Sequence, residues 1–481
     1  MKKTLLWILV SVFISNVGAQ PIDRFQPTWS SLKKYQCPDW FRDAKFGIFI
    51  HWGVYSVPAF ANEWYPRNMY QPDRFEFKHH LETYGPQKDF GYKDFIPLFK
   101  AEKFDAEEWV TLFEKAGARY VVPVAEHHDG FAMYKTALSK WNAAEMGPQR
   151  DIIGELAQAC RKHGLIFGVS SHRIEHWWFM NTGRLIDSDV NDPRFADFYG
   201  PARGEEETPS PEFMNDWLLR CVELVDKYQP QLFWFDWWIE QPAMAPYRKS
   251  FAAYYYNKGI EWNKGVVINY KNDAFPPEAA VYDIERGSSK ATKQHPWQTD
   301  TSVGKKSWGY IDGEENKSAN EIIDVLIDIV SKNGNLLLNI GPKADGTIPE
   351  EQKQVLIEIG KWLQVNGEGI YGSRPWTISG EGTAEAPDET AMFNEYKSKG
   401  YTAEDVRFTI KGDVLYAFVL GVPTQKTVIK SLGLKAGKIA SVELVGSTEK
   451  VVWSQNAKGL MLQPAKRYPT EHAVAYRIRF K

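Results

Sequence analysis

The chain has 481 residues, 43% of them apolar, and a formal net charge of -3. That length accommodates one large domain of roughly 300 residues and a smaller one beside it. The weak acidic balance contains no basic block to follow a phosphate backbone, which argues against nucleic acid as a partner.

The first element is a leader. Lys2 and Lys3 precede an apolar run over 5–14, and Val17-Gly18-Ala19 supplies small residues for cleavage before Gln20. The pattern predicts a signal peptide over 1–19, removed on export to the periplasm or the medium. The run is too short to span a bilayer, and no later stretch approaches that length.

Residues 20–370 alternate short apolar strands with amphipathic helices. Strands are expected at 46–50, 120–124, 165–169, 231–235, 266–268 and 335–340. Such continuous apolar runs fit parallel strands covered on both faces. Asp105 and Glu108 mark one helix start, with Gly117 as its stop; Asp151 and Gly164 bracket another. The segment 181–211, rich in Gly, Pro and Asp, reads as a long loop. His79-His80 reads as a solvated surface pair. Cys37, Cys160 and Cys221 are odd in number and widely spaced, so they predict buried thiols and no disulfide framework.

After residue 371 the pattern changes to short strands, with a hairpin signal at Lys411-Gly412-Asp413. The fold class expected is α/β: a (β/α)8-like barrel, regular or irregular, over 20–370, then a C-terminal antiparallel β-sandwich over 371–481. Whether identical chains assemble is left open.

Active sites of such barrels gather at the C-terminal strand ends. Those ends carry His51-Trp52-Gly53, Glu126-His127-His128-Asp129, Ser170-Ser171-His172, Asp236, Asn269-Tyr270-Lys271 and Tyr282-Asp283-Ile284-Glu285. Asp236 is the lone acid in Leu232-Phe233-Trp234-Phe235-Asp236-Trp237-Trp238-Ile239, and burying it unpaired is costly unless it has a chemical job. The 19 Trp, 23 Tyr and 27 Phe offer flat faces for sugar rings, although most must be core. A metal site on His127, His128 and Asp129 is disfavoured, because adjacent strand residues point to opposite faces. No metal or cofactor is expected. A sugar-binding protein needs the aromatics but not two separate acids. A glycoside hydrolase needs two carboxylates, and Asp236 and Glu285 fit by position.

Further stretches stand out in order along the chain: 46–53, Glu63-Trp64-Tyr65, 126–131, Trp234-Phe235-Asp236, Pro296-Trp297-Gln298, Ser307-Trp308-Gly309-Tyr310, 333–339 and 366–371. By these motifs the chain resembles the α-L-fucosidases of glycoside hydrolase family 29 over nearly its whole length. The resemblance implies a retaining exo-hydrolase acting on a fucosylated glycan or glycoconjugate, with Asp236 as nucleophile. It places the acid/base on a later loop, at Glu285, with Glu278 as competitor. It implies hydroxyl contacts from His51, Glu63, Trp64, His127, His128 and Trp234, and a methyl-lining face at Trp308. Two departures stand out: His172 follows two serines where a tyrosine is common, and Lys271 stands where some members have Arg. Both are expected to contact sugar in their place. The alternatives are an α-L-galactosidase on the same fold and a secreted fucose-binding protein without catalysis.

Overall fold

The computed structural model describes residues 24–384, 393, 395 and 400–481. The expected leader lies outside them. Eight parallel strands close into a barrel: β1 (Phe46–Ile50), β2 (Tyr120–Glu126), β3 (Ile166–Ser171), β4 (Leu232–Phe235), β5 (Val267–Tyr270), β6 (Val281–Glu285), β7 (Trp297–Ser302) and β8 (Gly334–Ile340). Six of these match expected strands. β7 does not: its sequence, Trp-Gln-Thr-Asp-Thr-Ser, is polar but wholly buried. Its polar groups are satisfied inside the barrel; Thr299 Oγ1, for example, donates to the carbonyls of Ile284 (2.6 Å) and Gly287 (2.7 Å).

The helices begin where their caps stand. Asp105 accepts from the Glu107 and Glu108 N–H groups, and Asp151 from that of Gly154. The helices Ala106–Lys115 and Ile152–Lys162 bury their apolar faces against the barrel. The segment 181–211 forms short turns and one short helix before the helix Pro211–Tyr228. His80 departs from expectation. It is fully buried, with Nδ1 3.0 Å from the Tyr65 hydroxyl and Nε2 2.8 Å from the Phe90 carbonyl. Cys160 and Cys221 are buried, and all three cysteines are free. Among the described residues, no helix is long and apolar enough to cross a membrane.

Beyond the helix Glu350–Asn366 the chain turns antiparallel. β9 (Arg374–Glu381), β10 (Val406–Lys411), β11 (Val414–Val419), β13 (Ile439–Leu444) and β16 (Val474–Phe480) form one sheet in the order β13-β16-β11-β10-β9. A second sheet is made of β12 (Thr427–Ile429), β15 (Gly459–Leu462) and β14 (Trp453–Asn456). Phe408, Leu415, Ile429, Leu460 and Ile478 are among the side chains that join the two sheets in one core. The larger sheet packs on the barrel's outer helices. Asp328 accepts from Arg407 Nε (2.6 Å) and Lys332 Nζ (2.7 Å), all three being buried. Removing one partner of such a cluster leaves uncompensated charge in the interior. Asp328→Ala is therefore expected to lower unfolding free energy by about 3–5 kcal/mol, read from urea denaturation. At a temperature where it stays folded, its turnover should be unchanged.

Candidate active site

The parallel register brings the strand ends to one rim. Glu285 pairs with Asp300 across β6 and β7, and Ser171 pairs with Phe235 across β3 and β4. His51, His127, His172 and Asp236 each lie just past a strand end, and Glu285 is the last residue of β6. The turn after β2 relies on Gly130, whose φ of 81° favours glycine. There the chain has left the strand, so His127 and His128 no longer alternate between faces. Both reach the same cavity.

That cavity measures about 510 Å³. Its walls include His51, Glu63, Trp64, His127, His128, His172, Trp234, Asp236, Glu285 and Trp308. All but one of the candidate residues therefore meet in one place. The exception is Lys271, which is fully buried behind Glu285 and away from the cavity wall. Its Nζ lies 2.6 Å from Glu285 Oε2, 3.2 Å from Asp300 and 3.6 Å from Asp283. The structure thus places a cation that holds the acids, where a sugar contact was expected. Glu278 is also elsewhere: it is half-exposed, 3.7 Å from Lys33, and lines a separate cleft.

Asp236 is held at both oxygens. His172 Nδ1 donates to Oδ2 at 2.9 Å, and the Trp237 N–H donates to Oδ1 at 2.9 Å. His172 Nε2 meets Ser170 Oγ at 3.1 Å, so Ser170 helps to orient the imidazole. His128 Nε2 is 3.5 Å from Asp236 Oδ2. Burial alone would raise the Asp236 carboxyl, but His172, Lys271 and His128 together hold it well below the usual carboxylate range. Glu285 moves the other way. Burial, with Asp300 and Asp236 nearby, outweighs Lys271 and pushes it up to about 7. Burial lowers His51, His127 and His128, the last to about 3, so these rings are neutral at pH 7.

The remaining walls are braced from behind. His51 Nδ1 donates to Asn339 Oδ1 at 2.7 Å, and Asn339 Nδ2 donates to the Trp308 carbonyl at 2.7 Å. Glu63 Oε2 accepts from the Trp308 N–H (2.8 Å) and Ser307 Oγ (3.0 Å). Trp308, Trp234 and Trp64 give flat apolar faces, while Glu63 and the imidazoles offer hydrogen bonds. That mixture suits a sugar that is polar on one side and apolar on the other. Ligand atoms of His51, His127 and His172, and of His128, His172 and Asp236, come within 4.8 Å of one another. Within these clusters His51 Nδ1 donates to Asn339 Oδ1 and His172 Nδ1 to Asp236 Oδ2. Asp129 is in neither cluster; it accepts from the Tyr92 hydroxyl at 2.6 Å.

Several lining residues were not expected. Asp300 sits on the unforeseen strand β7, although the motif Pro296-Trp297-Gln298 leads into it. Arg74 and Lys306, both exposed, also line the cavity. Phe393 arrives from beyond β9, its N–H 3.2 Å from the Glu285 carbonyl; no local signal announces that approach.

A barrel mouth with buried carboxylates of opposed acidity, set among sugar-sized aromatic faces, defines a glycoside hydrolase. The α-L-fucosidase family model matches residues 12–368, and the α-L-fucosidase C-terminal domain model matches 399–480. The tissue α-L-fucosidase of Rattus norvegicus is 32% identical over 97% of this chain and 95% of its own. That of Homo sapiens is 33% identical over 95% and 92%. The crystal structure of the Thermotoga maritima α-fucosidase in complex with fucose superposes with a TM-score of 0.75 at 32% identity, covering 94% of this chain and all of that one. The chain belongs to the α-L-fucosidase family.

Proposed function

We propose that the protein releases terminal L-fucose from α-L-fucosides of glycans or glycoconjugates by double displacement, with net retention. Asp236, ionised, attacks the anomeric carbon as the bond to the leaving oxygen breaks. Glu285, protonated, gives its proton to that oxygen. In the second step Glu285 takes a proton from water, whose oxygen displaces Asp236 and regenerates the free carboxylate. His51, His127, His128, Glu63, Trp64 and Trp234 hold the hydroxyls and ring, and Trp308 lines the C6 methyl. His172 orients and charges the attacking carboxylate. Lys271 acts through Glu285 and Asp300, without touching sugar.

The observation that carries this reading is the opposed acidity of two carboxyls in one cavity, which sorts them into attacker and donor. Incubation with an aryl α-L-fucoside tests it by release of the phenol. A folded protein that binds L-fucose but releases nothing would make it a lectin. The aryl α-L-galactoside, which adds a C6 hydroxyl, should be cleaved too, though less efficiently, since an apolar pocket disfavours a hydroxyl but rejects it only weakly.

The pH profile follows from the same pair. Activity needs Asp236 ionised and Glu285 protonated. kcat/KM should stay level on the acidic side and fall as pH rises through about 7. Asp300 raises Glu285, so Asp300→Asn should move the alkaline limb to lower pH. A limb that stays put or rises would remove Asp300 from this role. We also propose export through the leader; the N-terminus of the secreted protein should be Gln20, and retention of Met1 would refute cleavage.

A further inference from the structure

Glu175 has no part in the mechanism above, and it is the most unusual acid in the molecule. It ends the short turn Arg173–Glu175, immediately after His172. It is fully buried, and among the described residues neither carboxyl oxygen has a hydrogen-bond partner. An unsatisfied buried carboxyl costs free energy, so a bare one next to a reaction centre calls for an explanation. The polar atom facing it is His128 Nδ1, 3.3 Å from Glu175 Oε2. The opposite nitrogen of the same ring, Nε2, lies 3.5 Å from Asp236 Oδ2. Glu175, His128 and Asp236 thus form a line from the interior to the cavity.

His128 Nδ1 also lies 3.2 Å from the His172 carbonyl oxygen. Left to that carbonyl, a neutral ring would keep its single hydrogen on Nδ1. Nε2 would then present a lone pair to a carboxylate oxygen, two acceptors facing each other. A sugar hydroxyl between them could satisfy only one, having one hydrogen to give. With the hydrogen on Nε2 the conflict disappears. The hydroxyl then accepts from His128 and donates to Asp236.

We propose that Glu175 is a positioning residue that shares a proton with His128 Nδ1 and thereby keeps the Nε2 hydrogen pointed into the cavity. In one form the Glu175 hydroxyl donates to the Nδ1 lone pair. In the other the proton has crossed, leaving a carboxylate and an imidazolium. The pair carries no net charge in either form, and Nε2 bears a hydrogen in both. The logic is that of a carboxylate orienting a catalytic imidazole, one residue back from the chemistry.

The surroundings favour the first form. Burial raises the Glu175 carboxyl well above the usual range, and Asp236, Glu285, Glu240 and Glu205 add to the effect; Arg67, bonded to the Trp178 and Phe179 carbonyls, is a cation within electrostatic reach. Burial holds His128 low, with His172 adding to that and Asp236 opposing it. Neutral acid and neutral ring is the arrangement in which Glu175 must donate, and His128 Nδ1 is the acceptor within reach.

The inference rests on the proposed reading of the site only in naming Asp236 as the attacking group. Its test reads the ring directly. In the full-length protein labelled with 15N-histidine, the His128 Nε2 signal should be that of a nitrogen bearing hydrogen, and Glu175→Leu should transfer the hydrogen to Nδ1. Glu175→Leu should lower kcat/KM about 100-fold, while Glu175→Gln, whose amide can also donate to Nδ1, should lose about 10-fold or less. In a His128→Ala background, Glu175→Leu should change kcat/KM by no more than about threefold, because the residue acts through the ring. A bare Nε2 in the unaltered protein overturns the proposal, as does an equal loss in both backgrounds. Should the leucine variant not fold, the unaltered protein and Glu175→Gln still decide, since a bare Nε2 in either is contrary. The nitrogen signals stand even if Asp236 proves not to be the attacker, so the two failures are separable.

Discussion

Asp236→Gly is expected to reduce turnover of an aryl α-L-fucoside by about 10⁴-fold or more, with the fold intact. The side chain lies at the cavity wall, where it accepts from His172 Nδ1 and the Trp237 N–H. Its loss removes the nucleophile and opens room where it stood. Azide, small and anionic, should enter that space and attack the sugar from the same side. One displacement replaces two, so the fucosyl azide should have the configuration opposite to that of normal turnover. Rescue with retained configuration, or an activity loss below tenfold, would place the nucleophile elsewhere.

Glu285→Ala should produce a different defect. The first step loses its proton donor, so the loss should be large, about 10²–10⁴-fold, for substrates with poor leaving groups. Activated aryl fucosides, whose phenolate needs little help, should suffer less. Azide should accelerate the second step, since it needs no general base, and the product should keep the original configuration. The variant should also lose the fall in kcat/KM through about pH 7 that the raised Glu285 carboxyl imposes. Glu278→Ala should do none of this, because Glu278 lies in another cleft beside Lys33. Azide rescue of Glu278→Ala and not of Glu285→Ala would reverse the assignment.

Much of the barrel was legible because its parallel strands are buried on both faces and so read as apolar runs: Phe46–Ile50, Tyr120–Glu126 and Leu232–Phe235 stand out. Trp297–Ser302 hid because it is buried through hydrogen bonds, and a polar run has no apolar period to detect. His80 was misread for a related reason. Its partners, Tyr65 and the Phe90 carbonyl, are brought to it by folding and not by adjacency. The cavity residues could be found at strand ends because the barrel puts every such end on one rim. Lys271 shows the limit of that rule. It follows β5 as the others follow their strands, yet three carboxylates draw it inward, and residue type alone could not say which way it would turn. Glu175 carries no sequence signal; only the geometry reveals a buried acid that, among the described residues, has His128 Nδ1 within reach and no hydrogen-bond partner.

The most direct measurement is to trap the covalent half-reaction. A 2-deoxy-2-fluoro-L-fucosyl fluoride should glycosylate the enzyme, with loss of fluoride, faster than water can release the sugar, because the ring fluorine slows both steps and the anomeric fluoride leaves readily. The intact mass should rise by one fluorofucosyl group, and peptide mapping should place the ester on Asp236. An ester on any other carboxylate, or complete turnover with no ester and with inverted sugar as the first product, would contradict attack by Asp236.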